Sequence, residues 1–333
     1  MVEYYPFVSV VICSKGRHNL LTKSVENVNK CNYPKDKREI VVVEEGEKPE
    51  PIKGVKYVYL KLENRGLGYC HNQGLKNCSG DIIAFTDDDV KVDENWLKEI
   101  VTPFVDKEIY GVAGLVRAQK GNLLGETEEI LGLPGGGLWA LERSKEQIVP
   151  TGLLSTCNLA YKKEVFKEFS FIEESFGKYG GDDWYLGKQV SEKYKCIFNP
   201  KAIVYHKPRA NIFRLIHTYY RRQITDYLGK RDLYHENKIK AIFGKKHQCV
   251  IFKILLGLGI IVIYHIYGLV FLVLFYYLLS IFSARSLFKF VDSKISYFLY
   301  PFVKFITELG ILKGEILILF SSEESFQKIL EKY

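Results

Sequence analysis

No C-x-x-C pair occurs anywhere in the 333 residues, and the seven cysteines (13, 31, 70, 78, 157, 196 and 249) are scattered and odd in number. That spacing argues against both a disulfide framework and a structural zinc site, and it fits a reducing compartment. The turn after the first apolar run, Ser14-Lys15-Gly16-Arg17, lacks the G-x-G-x-x-G fingerprint, which disfavours a dinucleotide cofactor. Gly66-Leu67-Gly68 is too short a pattern to replace it. There is no internal repeat and no recognised nucleic-acid module, so nucleic acid is not an expected partner. The first strand opens by Phe7, so no secretory leader is expected ahead of it. Finally, Asp, Glu, Lys and Arg are all missing from Ile254–Phe282, a run of 29 residues broken only by His265.

What is present reads as an ordinary folded protein, 47% hydrophobic and 26% charged. Strand-like and helix-like segments alternate through the first half. Phe7–Cys13, Glu39–Val43, Val55–Leu60 and Ile82–Thr86 read as strands, and Asn19–Asn29 and Leu67–Asn77 as helices. This alternation predicts an α/β fold with a mostly parallel central sheet covered by helices on both faces. Ligands in such sheets bind beyond the carboxyl ends of the strands. Cys13-Ser14, Glu44-Glu45 and Asp87-Asp88-Asp89 all fall at those ends, so one crevice can gather them. From about Ile109 to His206 the pattern becomes irregular, with a glycine-rich loop from Gly132 to Gly137, and a mixed sheet is expected there.

The acidic triplet is the most informative motif. Three adjacent carboxylates at the end of a buried strand repel one another and raise one another's pKa. A divalent cation such as Mn²⁺ or Mg²⁺ removes that cost, because hard cations take carboxylate oxygens and share them with phosphates. An acidic surface turn is the competing reading of the triplet alone.

Net charge is +8, and much of the excess lies at Arg209, Arg214, Arg221, Arg222, Lys230, Arg231, Lys238, Lys240, Lys245 and Lys246. The cluster directly precedes the uncharged run, so an anionic membrane surface is its expected partner. Ile254–Phe282 exceeds the about 20 residues that span a bilayer core, as one tilted span or a re-entrant one. Ile295–Phe320 carries Lys304, Glu308, Lys313 and Glu315, so an interfacial amphipathic helix and a second span are both open.

Ser9-Val10-Val11-Ile12-Cys13-Ser14-Lys15-Gly16-Arg17, Ile40-Val41-Val42-Val43-Glu44-Glu45-Gly46, Asn64-Arg65-Gly66 with His71-Asn72-Gln73-Gly74, the Asp87–Asp89 triplet and Gly180-Gly181-Asp182-Asp183-Trp184 stand in that order. Together they resemble the family 2 inverting glycosyltransferases of GT-A fold, over about residues 6–222. The resemblance implies that the triplet is the family's D-x-D signature. Asp89 then ligates the metal, and Asp87 binds metal or ribose beside Asp88. By its position before the first helix, the turn from Ser14 to Arg17 favours a phosphate or base edge, and Glu44 and Glu45, where the family usually has Asp-Asp, read the base or ribose. Asn72 belongs to the donor side, next to His71, which replaces the family's common arginine. Asp183 is the general base and Asp182 orients the acceptor; either acid also suits the N-cap of the helix read over Trp184–Lys193. Trp184 reads as a sugar-stacking ring or as core. His206 reads as a metal ligand or as a structural residue. Asn158, in Thr156-Cys157-Asn158, is the polar group expected on the acceptor-side strand.

The resulting expectation is a metal-dependent, hexosyltransferase-like enzyme. It moves a sugar from a nucleotide diphosphate donor (a UDP-sugar first, a GDP-sugar second) to a hydroxyl of a lipid-linked glycan, with inversion. A polyprenyl-phosphate monosaccharide synthase is the nearest alternative; a nucleotidyltransferase and a non-catalytic nucleotide-sugar-binding protein are the rivals from other classes. Residues 1–222 are expected to form the catalytic domain, 223–250 a basic juxtamembrane linker, and 251–333 membrane-embedded and interfacial helices. The expected location is the cell membrane with the catalytic domain on its cytoplasmic side.

Overall fold

The computed structural model describes residues 4–132, 135–152, 154–173, 180–207, 211–243, 249–322 and 325–326. The strands in chain order are β1 (Val8–Lys15), β2 (Arg38–Gly46), β3 (Lys56–Lys61), β4 (Ile82–Asp87), β5 (Val90–Val92), β6 (Ile109–Ala118), β7 (Val149–Pro150), β8 (Asn158–Lys162) and β9 (Lys195–His206). The helices are α1 (His18–Asn29), α2 (Leu67–Lys76), α3 (Trp96–Val101), α4 (Leu123–Ile130), α5 (Gly137–Ser144), α6 (Asp182–Lys193), α7 (Ile212–Tyr234), α8 (Lys238–Phe243), α9 (Val250–Ala284) and α10 (Ile295–Phe320). The chain divides into two compact units. One comprises Met1–Gly121 and Leu131–Pro208, the other Asn122–Ile130 and Arg209–Tyr333. The expected boundary at residue 222 therefore falls inside α7. Pro134 of the glycine-rich loop, and Arg209, Lys245 and Lys246 of the basic cluster, lie outside the described residues.

The first unit is built on one nine-stranded sheet, β3-β2-β1-β4-β8-β6-β9-β5, with β7 paired to β9. β3, β2, β1 and β4 run parallel, as the alternation predicts. Residues Val8–Ser14 of β1 are buried without a break, the pattern of a strand covered on both faces. α1 covers one face through Leu21, Ser24, Val25 and Val28, which recur at helical spacing. The second half makes the sheet mixed: β8 is antiparallel to β4 and β6, and β5 is antiparallel to β9.

The β6–β9 pairing slips between Gly114, opposite Asn199, and Leu115, opposite Ile203. Such a bulge leaves carbonyls without ladder partners. Asn158 supplies the missing donors: its amide N–H groups reach Leu115 O at 2.9 Å and Ala202 O at 2.8 Å. A side chain at Gly114 has no room here, because its Cβ would lie 2.3 Å from Ala202 O and 2.4 Å from Asn158 Nδ2.

The second unit is helical. α10 packs on α7 so closely that a Cβ at Gly310 would lie 2.3 Å from Ile216 O. Glu315, buried, accepts the N–H groups of Val250 and Ile251, each at 3.0 Å, and so satisfies the first turn of α9 from a neighbouring helix. Glu126 ties down the approach to α10, accepting from Ser293 N at 3.1 Å and Ser296 Oγ at 2.6 Å.

Ile254–Phe282 lies within α9, but among the described residues no helix is long and apolar enough to cross a membrane. α10 is long, but Glu315 and Glu308 are committed inside the unit, Glu308 to Lys253 at 2.6 Å. The expected membrane span is thereby overturned, and with it the location at the cell membrane with a cytoplasmic catalytic domain.

Candidate active site

The carboxyl ends of β1, β4 and β9 and the start of β8 converge on the acidic triplet. Ser14, at the end of β1, donates its hydroxyl to Asp88 Oδ2 at 2.6 Å. Arg17, which precedes α1, forks across two acids: Nη2 lies 2.5 Å from Asp88 Oδ1 and Nη1 lies 3.0 Å from Asp89 Oδ2. His206, at the end of β9, brings Nε2 to 3.4 Å from Asp89 Oδ1. Its position follows from the pairing of β5 with β9, which sets His206 opposite Val90. Ligand atoms of Asp87, Cys157 and His206 all lie within 4.8 Å of one another.

The electrostatics of this cluster call for a cation. Burial, with Asp89 and Asp88 beside it, pushes the Asp87 carboxyl up to about 7. Burial also lifts Asp88, to about 6, against the pull of Arg17 and Ser14. One guanidinium is therefore too little charge for three acids. A convergent set of carboxylate, imidazole and thiol donors fits a divalent ion that would share them with a phosphate. Asp87, Asp89 and His206 thus lie together, and Asp88 serves chiefly as the anchor for Arg17 and Ser14.

On the nucleotide side, Glu44 and Glu45 point to opposite faces of β2, as adjacent strand residues must. Glu44 is buried against His18 Nδ1 at 3.1 Å and accepts from Tyr57 Oη at 2.7 Å. Glu45 accepts the N–H groups of Glu63 at 3.0 Å and Asn64 at 2.5 Å, which fixes the loop between β3 and α2. Lys15 also bonds Asn64. Asn72 is not aimed at this crevice. Its amide donates to Phe171 O and Glu173 Oε1, each at 2.8 Å, and accepts from Phe171 N at 3.1 Å.

On the acceptor side, α6 starts after Gly181, whose φ of 91° only glycine adopts readily, so Gly181 and neither aspartate occupies the N-cap. Asp182 and Asp183 form the first turn and diverge by the helical rotation. Asp182 turns inward to His71 Nδ1 at 2.9 Å. Burial opposes a charge on that imidazole, but Cys13 and Asp182 hold its pKa well above the usual histidine value. Asp183 stays partly exposed and accepts from Ser155 Oγ at 2.9 Å and Thr156 N at 3.3 Å. It is near enough to the triplet to add to the upward push on Asp87. Trp184 follows it, half-buried. Asn158 faces the opposite way: besides its two carbonyls it accepts from Trp96 Nε1 at 2.8 Å, and it is 2% exposed. It is a core bracket for the bulge, which corrects its expected place among the acceptor-facing groups.

Sequence reasoning missed Cys157, Ser155 and the His18–Glu44 contact. The signal for the first two was the Ser155-Thr156-Cys157 run next to Asn158, which becomes legible only once β8 is known to lie beside β4.

Residues 9–169 match the family described as Glycosyl transferase family 2. A glucosyl-dolichyl phosphate glucuronosyltransferase of Haloferax volcanii is 27% identical over 225 residues, covering 60% of this chain and 69% of that protein. A dolichyl N-acetyl-alpha-D-glucosaminyl phosphate 3-beta-D-2,3-diacetamido-2,3-dideoxy-beta-D-glucuronosyltransferase of Methanococcus voltae is 24% identical, covering 63% and 70%. Among solved structures, a mannosyltransferase of Pyrobaculum calidifontis, in complex with GDP-Man and Mn2+, is similar with a TM-score of 0.59 at 15% identity, covering 95% of this chain and 88% of that one. The ordered motifs, the mixed α/β sheet and the family match agree: residues 9–169 form a family 2 glycosyltransferase domain, within a sheet of GT-A fold.

Proposed function

We propose that the protein transfers one sugar, with inversion, from a nucleotide diphosphate sugar to a hydroxyl of a lipid-linked glycan. The observation that carries this reading is the division of labour between two neighbouring clusters. One is the Arg17–Asp88–Asp89–His206 group, and the other is the outward-facing Asp183 on the first turn of α6. Asp87, Asp89 and His206 would hold Mn²⁺ or Mg²⁺, which as a Lewis acid eases departure of a diphosphate. Arg17 supplies a fixed positive charge at the same place, and its two ion pairs keep Asp88 and Asp89 in register with β1. Asp183 takes the proton of the acceptor hydroxyl. Ser155 Oγ and Thr156 N hold the carboxylate in one orientation, which a base acting in line with a leaving group requires. Asp182 is locked to His71 and orients α6, so its part is to position Asp183 and the acceptor. Glu44 and Glu45 border the base and ribose side, and a UDP-sugar is the first donor to test, a GDP-sugar the second.

Support for a lipid-linked sugar as acceptor comes from the relatives named above, two of which are named for adding a glucuronosyl group to a dolichyl-phosphate-linked sugar. An acceptor hydroxyl needs a base, which Asp183 provides, whereas a lipid monophosphate is already anionic. The test is incubation of purified protein with labelled UDP- and GDP-sugars and detergent-solubilised polyprenyl-phosphate sugars, followed by lipid extraction. Label in an extended lipid-linked glycan is the expected product. Transfer to the bare polyprenyl phosphate alone would establish the monosaccharide synthase instead.

A further inference from the structure

We propose that Cys157 Sγ is a direct ligand of the divalent cation, and that this sulfur tilts the centre toward borderline cations over Mg²⁺. The inference rests on the metal-site reading above and assigns it a donor that neither the acidic triplet nor the D-x-D pattern contains.

The placement follows from strand register. β8 runs antiparallel to β4 with Asn158 opposite Thr86, so the preceding residue, Cys157, stands beside Asp87. The Thr86 hydroxyl donates to the Cys157 carbonyl at 3.1 Å and fixes that backbone. Paired residues of neighbouring strands share a face. Asp87 and Cys157 therefore look to the same side, where His206 arrives from β9. The three ligand atoms lie within 4.8 Å of one another, a spacing that one ion can bridge with small side-chain rotations. The other cysteines are also buried and free. Among the described residues, Cys157 is the cysteine grouped with a carboxylate and an imidazole in ligand range.

Ligand chemistry then sets the preference. Oxygen donors alone suit Mg²⁺, which keeps several waters and a strict octahedron. A thiolate with an imidazole suits Co²⁺, Zn²⁺ and, more weakly, Mn²⁺. Binding through sulfur exchanges the thiol proton for the metal, and that proton leaves to solvent.

The probe is Co²⁺ added to the full chain after chelator treatment, with bound metal counted by equilibrium dialysis and absorption recorded through the near ultraviolet. Saturable Co²⁺ binding with a sulfur-to-cobalt charge-transfer band is the expected result. Cys157→Ser should still bind Co²⁺, without the band, and its preference for Co²⁺ over Mg²⁺ should fall by roughly tenfold or more. Saturable binding without the band in the wild-type chain overturns sulfur ligation and leaves the metal site standing; that measurement needs no variant to fold. A band that survives in Cys157→Ser also overturns it. Absence of saturable Co²⁺ binding by the wild-type chain overturns the metal-site reading and this proposal together.

Discussion

Replacing Asn158 with leucine separates two roles that its sequence context left confounded. Leucine keeps the branched heavy-atom skeleton, so the shape is retained while the amide is removed, with two bulkier methyl ends added to a tight site. Three buried partners then lose their bonds: the Trp96 indole N–H, the Leu115 carbonyl and the Ala202 carbonyl. Each orphaned buried group costs about 1–3 kcal/mol, giving about 3–9 kcal/mol before relaxation. Shifts at the bulge let one carbonyl find water, so the lower end, about 3 kcal/mol, is the expectation. In a unit of roughly 200 residues each kcal/mol lowers Tm by about 2–4 °C, so Asn158→Leu should melt about 6–12 °C below the wild type. Tryptophan fluorescence follows the transition directly, because Trp96 is one of the affected groups. Assayed well below its Tm, the variant should keep its KM for the acceptor. An unchanged Tm with a raised acceptor KM would refute the core-bracket argument and return Asn158 to the acceptor site.

Asp183→Asn should lower kcat by on the order of 10²–10⁴, the usual worth of a positioned base, with donor affinity from calorimetry unchanged. If Asp182→Asn is by far the more damaging, the roles of the two acids are reversed. Mn²⁺ with a nucleoside diphosphate should raise Tm in a concentration-dependent way, and chelator or Asp89→Ala should abolish the shift; an identical shift in chelator would rule out the acidic site. Glu39 is held down at about 2, despite burial, by Lys56, Ser9 and Ser79. Its folded pKa lies below the unfolded one, so it stabilises the fold above about pH 4.5 and loses that effect as pH falls toward about 2. The Tm deficit of Glu39→Gln at neutral pH should therefore shrink steadily below about pH 4.5, and a deficit independent of pH would contradict this.

The first half of the fold was open to sequence reading because a parallel strand buried on both faces leaves an apolar run, as in Val10–Ile12 and Ile40–Val43. Such runs mark their own carboxyl ends, and Ser14, Glu44 and Asp87 could be placed at one sheet edge before any pairing was known. β8 offers no such mark. It has five residues, and what fixes it between β4 and β6 is tertiary pairing. Two consequences follow from that one strand. Asn158 reads as an isolated polar group, because its partners at 96, 115 and 202 are far away in sequence. Cys157 reads as one buried cysteine among seven, because Asp87 and His206 reach it only through the sheet. The two neighbours then take different partners: Asn158 turns to the bulge, and Cys157, equally buried, lies beside Asp87 and His206. A helix separates neighbours by about 100° per residue, and that suffices on α6 for Asp182 to turn in to His71 while Asp183 stays at the surface. In both places the chemistry depends on which of two adjacent polar residues is spent on the fold. Here one partner already buried, Trp96 for Asn158 and His71 for Asp182, claims its residue and leaves the other free to act.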